Sequence, residues 1–123
     1  MRSVEGRMKW RGHETWYRVV GEIDPAAPLT PVVICHGGPG AGHDYCEPIA
    51  DLSRFGRACV LYDQLGCGRS DQPDDTSLWT VDRSVAEVDQ VRAALGLGRC
   101  HLLGQSWGGW LSIEYMPRGA TGI

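Results

Sequence analysis

The sequence predicts an α/β fold in which parallel β-strands alternate with helices. Three short apolar runs, at residues 31–35, 58–62 and 99–103, have the composition of strands that are buried on both faces of a sheet. Between the last two runs, residues 80–95 place valines and leucines at helical spacing. Because strands that alternate with helices are joined by crossovers, we expect a parallel sheet covered by helices.

A β-hairpin is predicted ahead of the first buried strand. Residues 8–10 and 15–20 are rich in aromatic and β-branched side chains, and a glycine-containing turn at 11–14 separates them. Residues 22–31 contain three prolines and are expected to form a polar connection into the strand at 31–35.

Two helices are predicted between the strands. For residues 44–55 we expect a cap from Asp44 or Glu47, and an apolar face consisting of Ile49, Leu52 and Phe55. For residues 80–95, Thr80 is the expected N-cap and Gly96 the expected stop. The polar side of this second helix is expected to comprise Asp82, Glu87, Asp89 and Arg92.

Composition limits the classes of partner. The 123 residues carry a formal net charge of −3 without a basic cluster, which argues against nucleic acid and anionic membranes as partners. No apolar run approaches the roughly 20 residues of a membrane span, and the first residues do not form a secretion signal. We expect a single domain over residues 1–123, because no domain boundary or internal repeat is visible in the sequence.

The five cysteines predict a cytoplasmic protein with reduced thiols. Their number is odd, no Cys-x-x-Cys occurs, and several lie in or beside apolar runs. A metal site built from Cys35, His36, His43 and Cys46 is rejected, because their spacing fits no zinc-finger pattern. No metal or cofactor is predicted.

A nucleophile elbow is predicted directly after the third apolar run. Residues 104–108 read Gly-Gln-Ser-Trp-Gly, and a helix-compatible segment follows as far as Pro117. In such a strand–turn–helix unit, the backbone of Ser106 is strained at the tip of the turn. The neighbouring backbone passes so close to the flanking positions that a residue with a Cβ would not fit there, which explains the glycines. An ordinary glycine-rich turn remains the alternative for this motif alone.

Glycine-rich loops are also predicted after the buried strands at 31–35 and 58–62. Residues 36–40 read His-Gly-Gly-Pro-Gly, a tight loop whose exposed N–H groups could hold an oxyanion. Residues 63–70 read Asp-Gln-Leu-Gly-Cys-Gly-Arg-Ser and lack the third glycine and the helix of a dinucleotide-binding loop. Ser70 with Asp71 is expected to form a turn and not a catalytic pair.

These three motifs, in this order and spacing, resemble the N-terminal part of the proline iminopeptidases (prolyl aminopeptidases), which are serine peptidases with the α/β-hydrolase fold. The resemblance extends from about Trp10 to Ile123. One departure is Leu65, where the family often carries arginine. The implied fold is an α/β-hydrolase fold that contains the hairpin and the first parallel strands but lacks the cap and the C-terminal strands.

The resemblance implies a role for each motif. Ser106 would be the nucleophile, and the backbone N–H groups of Gly38 and Trp107 would form the oxyanion hole. Trp107 and Gly37 would also contact a peptide or amino-acid amide substrate, although core packing explains the Trp107 ring equally well. His36 is expected to shape its loop and not to act as a base.

The remaining triad residues are expected outside this sequence. In this fold the acid and the histidine follow the serine, whereas no Asp or His follows Ser106 here. A serine without its base is a weak nucleophile, so we expect the 123-residue chain alone to be inactive. An amino-acid amidase or esterase of the same fold, or a non-catalytic remnant, are the alternative functions. The sequence leaves the oligomeric state open.

Overall fold

A computed structural model describes residues 2–118 and 121–123. Its five strands are β1 (Ser3–Trp10), β2 (His13–Val20), β3 (Val32–Cys35), β4 (Cys59–Tyr62) and β5 (His101–Gly104). The helices are α1 (Val81–Leu95), α2 (Trp107–Tyr115) and two 3₁₀ helices, Asp44–Phe55 and Thr76–Leu78.

The strands form one mixed sheet in the order β1-β2-β4-β3-β5. In the predicted hairpin, β1 pairs with β2, and β2 also pairs antiparallel with β4. Strand β3 runs parallel to both β4 and β5. Ile34 pairs with Leu61 on one side and with Leu103 on the other. This register aligns the carboxyl ends of the three parallel strands, so the three glycine-rich loops all lie at the carboxyl-terminal end of the parallel strands.

The hairpin is longer than the sequence predicted. Strands β1 and β2 have eight residues each, because pairing continues to Ser3 opposite Val20. Few apolar residues mark the added part of β1, since most of its side chains are exposed. Along β2, Thr15 and Val19 are buried on one face of the sheet and Trp16 is buried on the other.

The predicted helix at 44–55 is a 3₁₀ helix, and its predicted apolar face is correct only at Ile49, which packs against the core. The inward-facing residues are Cys46, Ala50 and Ser53, whereas Leu52 is exposed and Phe55 is 77% exposed. The residue at the cap position is His43, and no side chain caps this end. Cys46 and Ala50 pack against Ile34 and Leu61 of the sheet, and this packing, which the local spacing does not show, selects the inward face.

Helix α1 begins and ends as predicted. The Thr80 hydroxyl accepts a hydrogen bond from the Arg83 amide at 3.1 Å, and Gly96 ends the helix with φ 66°. Glu87, however, is fully buried and does not lie on the solvent side. Its carboxylate pairs with the Arg83 guanidinium at 2.8 Å and accepts hydrogen bonds from the Thr15 hydroxyl and the Leu65 amide. Thr15 and Leu65 come from other elements, so helical spacing could not indicate these two partners.

The core lies on both faces of the sheet. One cluster packs Val33, Val60 and Tyr62 against α1 and α2. The other cluster packs Ile34 and Leu61 against the 3₁₀ helix. All five cysteines are free thiols and buried. Within the described residues, no helix is long and apolar enough to span a bilayer.

Candidate active site

Ser106 occupies the tip of a sharp turn between β5 and α2. Its φ of 56° and ψ of −120° are unusual for a residue with a side chain, and the residue is exposed. Such a conformation costs about 1–3 kcal/mol and persists only where the surroundings enforce it. The geometry is that of the predicted elbow.

The two glycines that flank the elbow are required by close backbone approach. A Cβ on Gly104 would lie 2.3 Å from the Gly108 carbonyl oxygen, and a Cβ on Gly108 would lie 1.8 Å from the Cys35 carbonyl oxygen. The second approach brings the start of α2 against the end of β3. The glycine pattern therefore fixes where Ser106 stands relative to the first glycine-rich loop.

Helix α2 begins immediately after the serine. The Gly109 amide donates to the Ser106 carbonyl at 2.9 Å, and the Gly108 amide donates to the Gln105 carbonyl at 2.9 Å. Trp107 is thus the first helical residue. Amides in the first turn of a helix have no acceptor within the helix and favour negative charge.

His36 is used entirely to shape its loop. Its Nε2 accepts a hydrogen bond from the Gln64 amide at 3.0 Å, and its Nδ1 lies 2.8 Å from the Gly37 carbonyl oxygen. These partners assign the neutral tautomer that carries its proton on Nδ1. Burial lowers the pKa of His36 below its usual value. With both nitrogens engaged, the side chain is not placed to act as a general base.

Tyr45 joins the first glycine-rich loop to the elbow. Its hydroxyl accepts a hydrogen bond from the Gly37 amide at 2.5 Å and donates to Gln105 Oε1 at 2.5 Å. The Gln105 amide also donates to the Cys35 carbonyl at 3.1 Å. Sequence reasoning missed Tyr45, because a tyrosine at the start of a helix carries no signal of a long-range partner.

Gly38 follows in an exposed position with φ 120°. A Cβ there would lie 2.4 Å from the Gly40 amide nitrogen, so glycine is required for this turn. The loop and the elbow are therefore adjacent. The implied roles of Gly37, Gly38, Ser106 and Trp107 stay predictions.

The Trp107 ring borders a cavity of about 320 Å³ beside the elbow. Its indole Nε1 donates to Gln64 Oε1 at 3.0 Å, and the Gln64 side-chain amide donates to the His36 carbonyl at 2.9 Å. This chain of hydrogen bonds fixes the ring while the ring also packs against the core. The cavity is also lined by Pro39, Gly40, Gln64, Leu65, Gly66, Trp79, Thr80, Val81, Arg83 and Ser84. The Trp107 ring thus both lines a cavity and packs against the core, and its contact with a substrate stays a prediction.

The loop after β4 is held by hydrogen bonds to its own backbone and to neighbouring segments. Asp63 is fully buried, and its carboxylate accepts from the amides of His43 and Arg69 at 2.7 and 2.8 Å. Ser70 accepts from the Trp16 amide at 2.8 Å and donates to the Asp63 carbonyl. Asp71 accepts from the Glu14 amide at 2.8 Å. Ser70 and Asp71 therefore support the turn, as the sequence predicted.

Three buried residues near this loop bring possible metal-ligating atoms close together. Potential ligand atoms of His36, Asp63 and Cys67 lie within 4.8 Å of one another. His36 Nε2 already has the Gln64 amide as its partner, and the Cys67 thiol donates to the Gln64 carbonyl at 3.0 Å. Burial raises the pKa of the Cys67 thiol to about 12. The cluster thus presents a protonated thiol and an occupied imidazole, which do not suit a metal.

The fold and the elbow define the class of protein. Residues 30–119 match the family described as the alpha/beta hydrolase fold, and the chain belongs to this family. The matched region contains all three glycine-rich loops, the strands that carry them and both α-helices.

Among named relatives, the proline iminopeptidase of Lactiplantibacillus plantarum is 50% identical over 121 residues, covering 94% of this chain and 42% of the relative. That of Lactobacillus helveticus is 48% identical over 118 residues, covering 94% and 39%. The crystal structure of the Mycobacterium smegmatis proline iminopeptidase superimposes with a TM-score of 0.88 at 40% identity, covering 97% of this chain and 41% of that one. The resemblance to the N-terminal part of these proteins is confirmed, and the chain spans about two fifths of their length.

Proposed function

We propose that this chain carries the nucleophile of a serine peptidase that releases N-terminal proline from peptides. The observation that carries the proposal is the backbone of Ser106, which stands exposed at φ 56° between β5 and α2. A serine in this geometry presents its Oγ to a substrate at the carboxyl edge of the sheet. The similarity to proline iminopeptidases supports the choice of substrate.

In the proposed mechanism, Ser106 Oγ attacks the carbonyl carbon of the N-terminal proline. The negative charge that develops on the carbonyl oxygen is stabilised by the N–H groups of Trp107 and Gly38. Trp107 lies at the positive end of the α2 dipole, which adds to this stabilisation. Removing one donor of this kind typically raises the barrier by about 2.7–4 kcal/mol.

The cavity beside Trp107 supports an apolar substrate group. Its walls include the rings of Trp79, Trp107 and Pro39 with the side chain of Leu65. A pyrrolidine ring is apolar and rigid, and flat aromatic walls suit such a group. The proline side chain would therefore occupy this cavity while its carbonyl faces Ser106.

The proton of Ser106 needs an acceptor that this chain does not provide. All four histidines precede Ser106. His36 has both ring nitrogens engaged, and His43 is buried with its Nδ1 2.9 Å from Asp63 Oδ1. Loss of the triad histidine costs about 10⁶ in turnover in a serine peptidase. We therefore expect negligible peptidase activity from the 123-residue chain by itself.

Two protein samples test the proposal. The first is the chain alone, and the second is the chain fused to the part of the L. plantarum proline iminopeptidase that follows its matched region. We expect the fusion, and not the chain alone, to hydrolyse proline p-nitroanilide. Ser106→Ala should abolish this activity, whereas Ser112→Ala, which removes another hydroxyl from the same segment, should retain it.

Two outcomes would contradict the proposal. Activity of the fusion that survives Ser106→Ala would exclude Ser106 as the nucleophile. A fusion that cleaves p-nitrophenyl acetate but no prolyl amide would favour the esterase alternative. The cytoplasmic location predicted from the cysteines stays a prediction, which fractionation of the source cells would test.

A further inference from the structure

A single tyrosine hydroxyl connects the two segments that carry the proposed oxyanion donors. The Tyr45 hydroxyl accepts a hydrogen bond from the Gly37 amide and donates to Gln105 Oε1, each at 2.5 Å. Gly37 directly precedes Gly38 in the first glycine-rich loop, and Gln105 stands two positions before Trp107 in the elbow. One oxygen atom, from a third element of the fold, is therefore hydrogen-bonded to both segments.

The glycine at position 37 leaves the space that this bridge needs. A Cβ on Gly37 would lie 2.7 Å from Tyr45 Oη and 3.0 Å from Gln105 Oε1. The backbone of Gly37 is not in the left-handed conformation that favours glycine, so the close contacts and not the φ angle require glycine here. The absence of a side chain at this position is thus explained by the hydrogen bonds that Tyr45 makes.

The bridge occupies one amide and leaves its neighbours free. Because the Gly37 N–H donates to Tyr45, this N–H is not available to a substrate oxygen. Among residues 2–118 and 121–123, by contrast, no acceptor is hydrogen-bonded to the backbone amide of Gly38 or of Trp107. The Tyr45 hydroxyl thus holds the backbone next to both free amides without occupying either of them.

We propose that Tyr45 is a positioning residue whose two hydrogen bonds set the distance and orientation between the N–H groups of Gly38 and Trp107. The inference rests on the proposed function, which assigns these N–H groups to the developing oxyanion, and it adds a residue that none of the three glycine-rich motifs contains. Preorganised donors stabilise a transition state only when they point at the position that the oxyanion will occupy. Tyr45 acts on that geometry through the backbone and does not touch the reacting atoms.

NMR spectra and amide exchange of the 123-residue chain test the positioning without any need for activity. Tyr45→Phe removes only the hydroxyl, and because Tyr45 is 48% exposed the change leaves no buried cavity. We expect the Gly37 amide to exchange about tenfold or more faster once its acceptor is lost. The amide signals of Gly38 and Trp107 should shift or split in the same variant.

Tyr115→Phe is the matched control. The Tyr115 hydroxyl donates to Asp89 Oδ1 at 2.5 Å and accepts from Arg92 at 2.9 Å, so this change also removes a hydroxyl with two partners. Both partners belong to α1, and Tyr115 is the last residue of α2, at the end away from the elbow. This variant should lower the urea midpoint and leave exchange at Gly37 and turnover unchanged.

Kinetics of the fusion with the L. plantarum segment give the second readout. Tyr45→Phe should lower kcat for proline p-nitroanilide about tenfold to a hundredfold and change KM less than about twofold, because misplaced donors act on the transition state and not on ground-state binding. Gln105→Met removes the acceptor of the same bridge. The variant with both changes should therefore lose no more turnover than the more affected single variant.

Several results would overturn the inference. One is an unchanged exchange rate at Gly37 in Tyr45→Phe, and another is an unchanged kcat in an active fusion. A raised KM with unaltered kcat would assign Tyr45 to substrate binding instead, and equal losses from Tyr115→Phe would reveal a general effect on folding. Responses of the Gly37 and Gly38 amides to Tyr45→Phe, in a chain whose fusion cleaves no prolyl amide, would support the positioning and contradict the proposed function.

Discussion

Replacement of Gly108 by alanine should lower the free energy of unfolding, because the added Cβ clashes with the backbone at the end of β3. A Cβ at Gly108 would lie 1.8 Å from the Cys35 carbonyl oxygen and 2.7 Å from that of His36. Both obstacles are backbone atoms, so α2 and the end of β3 must move apart by about 1.6 Å to reach the shortest ordinary contact, which is about 3.4 Å. Overpacking of this kind costs about 1–3 kcal/mol and occasionally more.

Gly109 provides the matched control, because it is the next residue of the same helix. A Cβ there would meet the Gly104 carbonyl oxygen at 3.6 Å, an ordinary van der Waals contact. Alanine is favoured over glycine in a helix by up to about 1 kcal/mol, so Gly109→Ala should be neutral or stabilising. The two variants should therefore differ by about 3 kcal/mol in the free energy of unfolding.

Urea unfolding followed by tryptophan fluorescence measures this difference. With a denaturant slope of about 1–3 kcal/mol/M, the midpoint of Gly108→Ala should lie about 1–3 M below that of Gly109→Ala. If the two midpoints coincide, the close approach of Gly108 to Cys35 is wrong, and with it the position assigned to Ser106 beside the first glycine-rich loop.

Three further predictions concern buried polar groups. Burial lowers the pKa of His36, so the imidazole of the unfolded chain takes up a proton at a higher pH than that of the folded chain. The free energy of unfolding should therefore fall as the pH drops below about 6.5, by at most about 1.4 kcal/mol per pH unit from this group. In urea titrations across pH, His36→Gln should remove this contribution, whereas His101→Gln, at an exposed site, should not. Arg83→Met leaves the Glu87 carboxylate buried without its cation and should cost about 3–5 kcal/mol, part of which a second change, Glu87→Gln, should restore. The buried Cys67 thiol, with its pKa raised to about 12, should resist iodoacetamide at pH 8 until urea unfolds the chain, and rapid alkylation of the native protein would contradict its placement.

Much of the fold could be predicted because local patterns specify it. The three strands of apolar residues, the caps of α1 at Thr80 and Gly96, and the elbow at Ser106 each depend on residues close together in sequence. Their periods and turn chemistry therefore indicate the elements directly. The adjacency of the glycine-rich loops followed from the parallel order of the strands.

The predictions that were wrong or incomplete concern long-range partners. The inward face of residues 44–55 depends on the packing of Cys46 and Ala50 against the sheet, which local spacing does not represent. Burial of Glu87 depends on Thr15, Leu65 and Arg83, which come from a strand, a loop and its own helix. Tyr45 reaches both Gly37 and Gln105, which are 8 and 60 residues away along the chain.

The sequence by itself determined the order of the elements and the position of the nucleophile candidate, because glycines at 104 and 108 and apolar runs of four or five residues act locally. Only the tertiary structure decided which polar groups are buried together and which face of the 3₁₀ helix turns inward. Those features depend on contacts between distant segments, and a contact forms only once the sheet has placed its strands side by side.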